Sequence, residues 1–271
     1  MTQGNDRALA AINDLKDHST LKVWSVLVTF FGDLAAAPKT HLIGPVLAAL
    51  VQPIGIKPEA LRVALHRLRK DGWIETSKIG RVSLYALTDF GRQQTNAVRH
   101  RVYGAAPEKP ADWHIIITAP HSAGDAANGP LHDAIAVSGN TYLLPIRPHP
   151  APPNAFVGSL SVLSDVGWVR DKIAPPEIVT AYEELDALLK GITRNLRSIR
   201  QSTLIEQTIL RTLILHNWRR ILLRHPAAAD FALEGWAGSE CRRTVLHLMN
   251  KLARPSPEAL VAALQHPRAA G

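Results

Sequence analysis

The sequence predicts an α+β fold, with an N-terminal winged helix-turn-helix, a central ferredoxin-like α+β domain and a C-terminal helical domain. Three observations lead there. The stretch LRVALHRLRKDGW (61–73) sets Leu61, Ala64, Leu65 and Leu68 at i, i+3, i+4 and i+7, one face of a helix, and leaves Arg62, His66, Arg67, Arg69 and Lys70 on the others. Two β-rich runs, 73–79 and 82–87, follow around a tight Ile79-Gly80-Arg81 turn and read as a hairpin. Beyond 198 the apolar spacing is helical almost throughout, whereas strand-like runs such as WHIIIT and TYLLPIRP lie between 113 and 169.

Taken in order, residues 1–19 are polar and mixed in charge and read as an N-terminal arm ahead of the winged helix, 20–103. LKVWSVLVTFFGD (21–33) is a strongly apolar helix ending at Gly32. KTHLIGPVLAALVQPIG is a second helix with Thr40 as its N-cap, stopped by Pro53 and Gly55. KPEALRVALHRLRKDGW is the third, opened by Pro58 at the first helical position and closed at Asp71-Gly72. Thr88 caps the helix that follows the hairpin, DFGRQQTNAVRHRVYG. GAAPEKPAD (104–112) has the composition of a linker. The central domain, 111–191, then reads as a strand WHIIIT, a loop HSAGDAANGP, a short helix LHDAIAVSG, strands TYLLPIRP and GSLSVLSDVGWV, and a closing helix at 175–191. The helical C-terminal domain is 192–271.

Charge narrows the function. The net charge is +8, and residues 20–101 carry 12 Lys/Arg against 5 Asp/Glu, so nearly the whole surplus sits in the helix–helix–hairpin segment. A basic surplus confined to one segment points to nucleic acid as partner. The lone Cys241 excludes an internal disulfide and a Cys-rich zinc site. The first 20 residues hold no secretory signal, and the apolar run VWSVLVTFF is about half the ~18 residues of a membrane span, so a cytoplasmic protein without a membrane partner is expected.

In a winged helix, 61–70 is the recognition helix and its basic face meets double-stranded DNA in the major groove. At about 100° per residue, Glu59, Val63, His66 and Lys70 lie most nearly opposite the apolar stripe and suit base reading. Arg62 and Arg69 on one flank and Arg67 on the other suit phosphate contacts, and Arg62 also has the fork that matches guanine. Arg81 at the hairpin tip is either a polar turn residue or a minor-groove contact.

The same residues carry a resemblance. SVLVTFFGD, ALRVALHRLRKDGWI, GRVSLYALTDFG and RHRVYG, followed far downstream by RTLILHNWRRILLRHP and GWAG, resemble the phenylacetate-degradation repressor (PaaX) family of bacterial regulators, over about 20–104 and 205–255. The resemblance implies a homodimeric repressor of aromatic-compound catabolism, released from operator DNA by an aryl acyl-CoA or a related aromatic acid. Trp113, Trp168, Trp218 and Trp236 are candidate aromatic walls for that effector, and Arg219 or Arg220 a candidate partner for its anionic group. Trp218 equally suits core packing, and the two arginines equally suit ion pairs with acids such as Glu183 or Glu184.

Enzyme signatures are missing. The chain has no G-x-S-x-G elbow, no Walker loop and no G-x-G-x-x-G fingerprint, so no enzyme and no cofactor is expected. His114, His121, His132, His216 and His225 form no tight metal motif. An effector-independent DNA-binding protein, architectural in role, or a nucleic-acid-processing protein that uses the ferredoxin-like domain is the competing reading. A nuclease would have to draw metal ligands from Asp112, Asp125, Asp133, Asp165 and Asp171, whose spacing forms no recognisable set.

Overall fold

The structure is a computed structural model that describes residues 3–18, 20–104, 112–119, 131, 134–145, 147, 149–160, 168, 171–172, 174–226 and 235–266. Its helices and two small antiparallel sheets form two compact units. One gathers Met1–Tyr103, Leu185–Arg219 and Thr244–Gly271, and the other Gly104–Glu184 and Arg220–Arg243. Each unit gathers stretches that are separate in the chain, because packing groups residues by proximity in space.

In the first unit, α1 (Gln3–Asp17) occupies the segment expected as an arm. Ala8, Ala11, Ile12 and Leu15 fall at i, i+3, i+4 and i+7 and are all buried, so α1 is a docked helix. The Asn217 amide, itself buried, donates to the Leu15 carbonyl at 3.0 Å and closes one of the C-terminal carbonyls that a helix leaves open. Next comes α2 (Val23–Leu34), with every residue from Ser25 to Leu34 buried. This is the all-round burial its mainly apolar composition implies, and it takes the polar Ser25, Thr29 and Asp33 inside as well.

The helix expected to follow an N-cap at Thr40 begins instead at Gly44. His41–Ile43 is instead a strand, β1, paired antiparallel with His41 opposite Ala86 and Ile43 opposite Leu84. Consequently α3 (Gly44–Val51) has Ile43 at its N-cap and Pro45 inside its first turn. A 3-10 turn at Gln52–Ile54 leads to α4 (Pro58–Lys70), whose N1 residue is Pro58 as expected. The hairpin is present as β2 (Ile74–Ile79) and β3 (Val82–Leu87), with Ile79 opposite Val82 and the sheet order β1-β3-β2. Gly80 has φ +59, the left-handed conformation that a two-residue hairpin needs at its first central position.

Thr88 caps α5 (Asp89–Tyr103): its hydroxyl accepts from the Gly91 N–H at 3.0 Å. A Cβ on Gly91 would lie 2.2 Å from the Trp73 carbonyl oxygen, so only glycine lets the start of α5 approach the base of the hairpin this closely.

The second unit holds a four-stranded antiparallel sheet of β4 (Trp113–Thr118), β5 (Ile135–Ser138), β6 (Thr141–Leu144) and β7 (Ala155–Leu160), in the order β5-β6-β4-β7. LHDAIAVSG, expected as a helix, contributes β5 instead. Gly139-Asn140 turns the chain so that Ile135 pairs with Leu143, and the β-branched Ile135 and Val137 suit the strand. Ile116, Leu131, Ala134, Tyr142 and Leu144 form the core on one face of this sheet.

The helix expected at 175–191 continues to Ile199 as α6 (Pro176–Ile199). It is followed by α7 (Leu204–Leu222), α8 (Ala237–Lys251) and α9 (Pro257–Gln265), the helical C-terminus read from the sequence. Within the first unit α9 packs on α3, and α1 on the turn after α3. Within the second, the buried His225 ring stands edge-on to Tyr182 and Trp236. Its Nδ1 faces the Pro226 carbonyl at 3.0 Å and therefore carries the proton, which leaves Nε2 to accept from the Tyr182 hydroxyl at 2.6 Å. Cys241 is fully buried on α8. Among the described residues no helix is long and apolar enough to cross a membrane.

Candidate nucleic-acid interface

Helix α4 is built by its apolar stripe. Leu61, Ala64, Leu65 and Leu68 are buried, and α2 packs against them. Burying three leucines is worth about 2 kcal/mol each, which a 13-residue helix needs because its own backbone bonds are marginal in water. Glu59, Arg62, Val63, His66, Arg67, Arg69 and Lys70 are all exposed on the remaining surface. Arg81 is also exposed, at the tip of the β2–β3 hairpin.

The basic face is less uniformly unpaired than its charge count implies. Arg62 bonds Glu59 at 3.1 Å, one turn back, and Arg67 pairs with Asp71 at 3.5 Å, one turn on. Both pairs are solvent-exposed and hold the flanking guanidiniums in place at little net energy. Arg67 also lies over the Trp24 ring of α2, 5.8 Å from its centroid. His66, Arg69 and Lys70 have no ion-pair partner among the described residues.

Three surface residues here escape a reading of the helix alone. Trp24 is exposed and lies under the Arg67 guanidinium. Lys57 and Lys78 are exposed, one just before α4 and one on β2. Lys57 was legible as the basic residue preceding Pro58, whereas Trp24 became relevant only through its position beside α4.

The candidate effector residues fall elsewhere. Trp113 is buried on β4 in the second unit. Trp218 is fully buried on α7, and its indole N–H donates to the Val102 carbonyl at 3.1 Å, so in its own unit it packs as core. Arg219 donates to both the carbonyl and the hydroxyl oxygen of Ser25 on α2, each at 3.0 Å. Burial lowers its pKa. Arg220 is exposed, as is Trp168, and Trp236 is buried against Tyr182 and His225. No ion pair of Arg219 or Arg220 with Glu183 or Glu184 occurs among the described residues.

No group of three or more His, Cys, Asp or Glu side chains among the described residues could hold a metal ion. Of the residues weighed as metal ligands, His121, His132, Asp125, Asp133 and Asp165 lie outside the described residues.

Comparison with known proteins agrees with the sequence at both ends. The family profile of PaaX-like proteins matches residues 22–91, and that of the PaaX-like protein C-terminal domain matches residues 175–262. The chain is 23% identical to the transcriptional repressor PaaX of Escherichia coli strain K12 over 267 residues, spanning 88% of this chain and 82% of that protein. Among solved structures it is similar to the uncharacterized protein Rv0674 from Mycobacterium tuberculosis, with 16% identity and a TM-score of 0.48 over 88% of this chain and 97% of that one. The first of those profiles covers α2 through the start of α5 and the second covers α6 to α9, and on these matches the chain belongs to the PaaX family.

Proposed function

We propose that the chain is a transcriptional repressor in which α3 and α4 act as a helix-turn-helix and β2–β3 as its wing. The observation that carries this reading is α4 itself. The four residues of its apolar stripe are buried, every residue on its basic face is exposed, and a paired hairpin with Arg81 at its tip follows at once. The family relationship and the name of the Escherichia coli relative, a transcriptional repressor, support it. On this reading Arg62, Arg67 and Arg69 neutralise phosphates, Glu59, Val63, His66 and Lys70 face base edges, and Arg81 enters a minor groove. The protein works in the cytoplasm on double-stranded operator DNA.

The remaining parts of the proposal rest on the family resemblance. They are a homodimer on two half-sites, an aryl acyl-CoA or aromatic acid as releasing effector, and aromatic catabolism as the controlled process. We assign DNA binding to 20–103, a ferredoxin-like fold to 111–191 and the helical domain to 192–271. The strand order β5-β6-β4-β7, antiparallel throughout, supports the ferredoxin-like assignment, since it is the second-third-first-fourth order of a split βαβ sheet. For the effector's anionic group, exposure favours Arg220 over Arg219, whose guanidinium is engaged with Ser25.

A gel-shift titration tests the DNA reading, using duplexes selected from a random pool by the full-length protein. Saturable binding with a log–log salt slope of several units is expected, because each neutralised phosphate contributes about one. Salt-insensitive or absent binding rejects it. Phenylacetyl-CoA and phenylacetate, titrated into the complex, test the effector.

A further inference from the structure

We propose that Val63 reads a thymine through its C5-methyl group and is a base-specificity determinant of the recognition helix; the inference rests on the DNA reading of α4. A single exposed valine is ordinary on a protein surface. Val63 is not placed ordinarily. It is 68% exposed, and it lies about 30° from the direction opposite the buried stripe of Leu61, Ala64, Leu65 and Leu68, at the centre of the outward face. Glu59 and Arg67 lie one turn to either side of it, and Arg62 and His66 adjoin it, so it is an apolar island among charged and polar side chains.

Nothing within the helix gains from that choice. Valine loses χ1 freedom in a helix, and a straight-chain polar residue would serve the exposed surface better. The two nearest arginines have partners of their own: Arg62 bonds Glu59, and Arg67 pairs with Asp71 and lies over the Trp24 ring. An isopropyl group offers no hydrogen bond, so whatever it recognises presents an apolar group within reach of a basic helix. On the edges of base pairs in the major groove, the C5-methyl of thymine is that group. Val63 also sits in the second turn from Pro58, toward the N-terminal end that enters deepest in a helix-turn-helix.

Deoxyuridine tests this directly, because it keeps the thymine hydrogen-bonding edge and lacks only the methyl. Duplexes are selected from a random pool with the full-length protein, and each thymine of the selected site is replaced in turn by deoxyuridine. At one thymine the substitution should weaken wild-type binding by about fourfold, the worth of one buried methyl group. Val63→Ala, which favours the helix, should bind both duplexes within twofold of each other. Thymine replacements that all leave wild-type affinity within twofold overturn the inference while the DNA reading stands. So does a methyl dependence that persists in Val63→Ala. Failure of the wild-type protein to bind any duplex overturns both.

Discussion

Arg211 on α7 grips Asp33 on α2 with two hydrogen bonds, Nε to Oδ2 at 2.7 Å and Nη2 to Oδ1 at 3.1 Å, although 178 residues separate them. Both side chains are buried, and the remaining guanidinium nitrogen donates to the Met249 and Leu252 carbonyls at 2.8 and 3.0 Å. The Tyr103 hydroxyl donates to the same carboxylate at 3.0 Å, and Arg254 adds a looser contact at 3.8 Å. The pair thus joins α2, against which the basic helix packs, to the C-terminal helices of the same unit.

Breaking one side of this pair leaves a buried charge without its partner. Arg211→Met should destabilise the protein by about 3–5 kcal/mol, read as a lowered urea midpoint. The double variant Asp33→Leu, Arg211→Met should lose less than the two single variants together. Additive losses would show that the two groups do not act as a pair.

Tyr103 should titrate above the ordinary tyrosine range. Burial, and then the negative charge of Asp33, push its phenol pKa upward. A raised folded-state pKa makes its contribution to stability complete below the ordinary tyrosine range near 10 and lost as pH climbs toward the folded value. Ultraviolet difference titration of the native protein should show a late phenolate step that disappears in Tyr103→Phe.

The basic face should govern DNA binding without governing stability. The triple variant Arg62→Ala, Arg67→Ala, Lys70→Ala removes exposed side chains and exposed ion pairs, so its unfolding midpoint should stay close to wild type. Its salt slope should fall by about one unit for each phosphate that the variant no longer neutralises.

Gly91→Ala should be costly despite its small size. The added methyl cannot occupy a point 2.2 Å from the Trp73 carbonyl oxygen, so α5 or the base of the hairpin must shift. A loss of about 2–3 kcal/mol is expected for overpacking against the main chain, measurable by thermal unfolding. Thr88→Ala, which removes the cap of the same helix, should cost about 1 kcal/mol.

An exposed Arg220 and a committed Arg219 make separable expectations. Arg220→Ala should leave the unfolding midpoint unchanged yet weaken binding of phenylacetyl-CoA in calorimetry by about tenfold, the worth of one charge-assisted hydrogen bond. Arg219→Met should destabilise by about 1–2 kcal/mol, because it removes the two hydrogen bonds that tie α7 to the Ser25 carbonyl and hydroxyl oxygens of α2.

Much of the first unit was legible in the sequence because its signals are local. The stripe from Leu61 to Leu68, Pro58 at a helix start, Gly80 in a two-residue turn and Thr88 at a cap each act over a few residues, and the corresponding elements appear where expected. The stripe Ala8, Ala11, Ile12, Leu15 carried the same kind of signal for α1, although the segment's polar composition pointed to an arm. Short elements behaved differently. His41–Ile43 is a strand because β3 supplies its hydrogen bonds, and Ile135–Ser138 is a strand because Leu143 and Tyr142 face it across a turn. A run of three or four apolar residues fits helix and strand alike until a partner is present. Long-range electrostatics were out of reach altogether. That one basic helix turns its charge outward follows from the order of its residues, since burying that face would strand unpaired cations. Tertiary structure alone set the Trp24 ring of α2 under Arg67, and it alone brought Asp33 to Arg211 and Ser25 to Arg219, because those partners lie far apart in the chain.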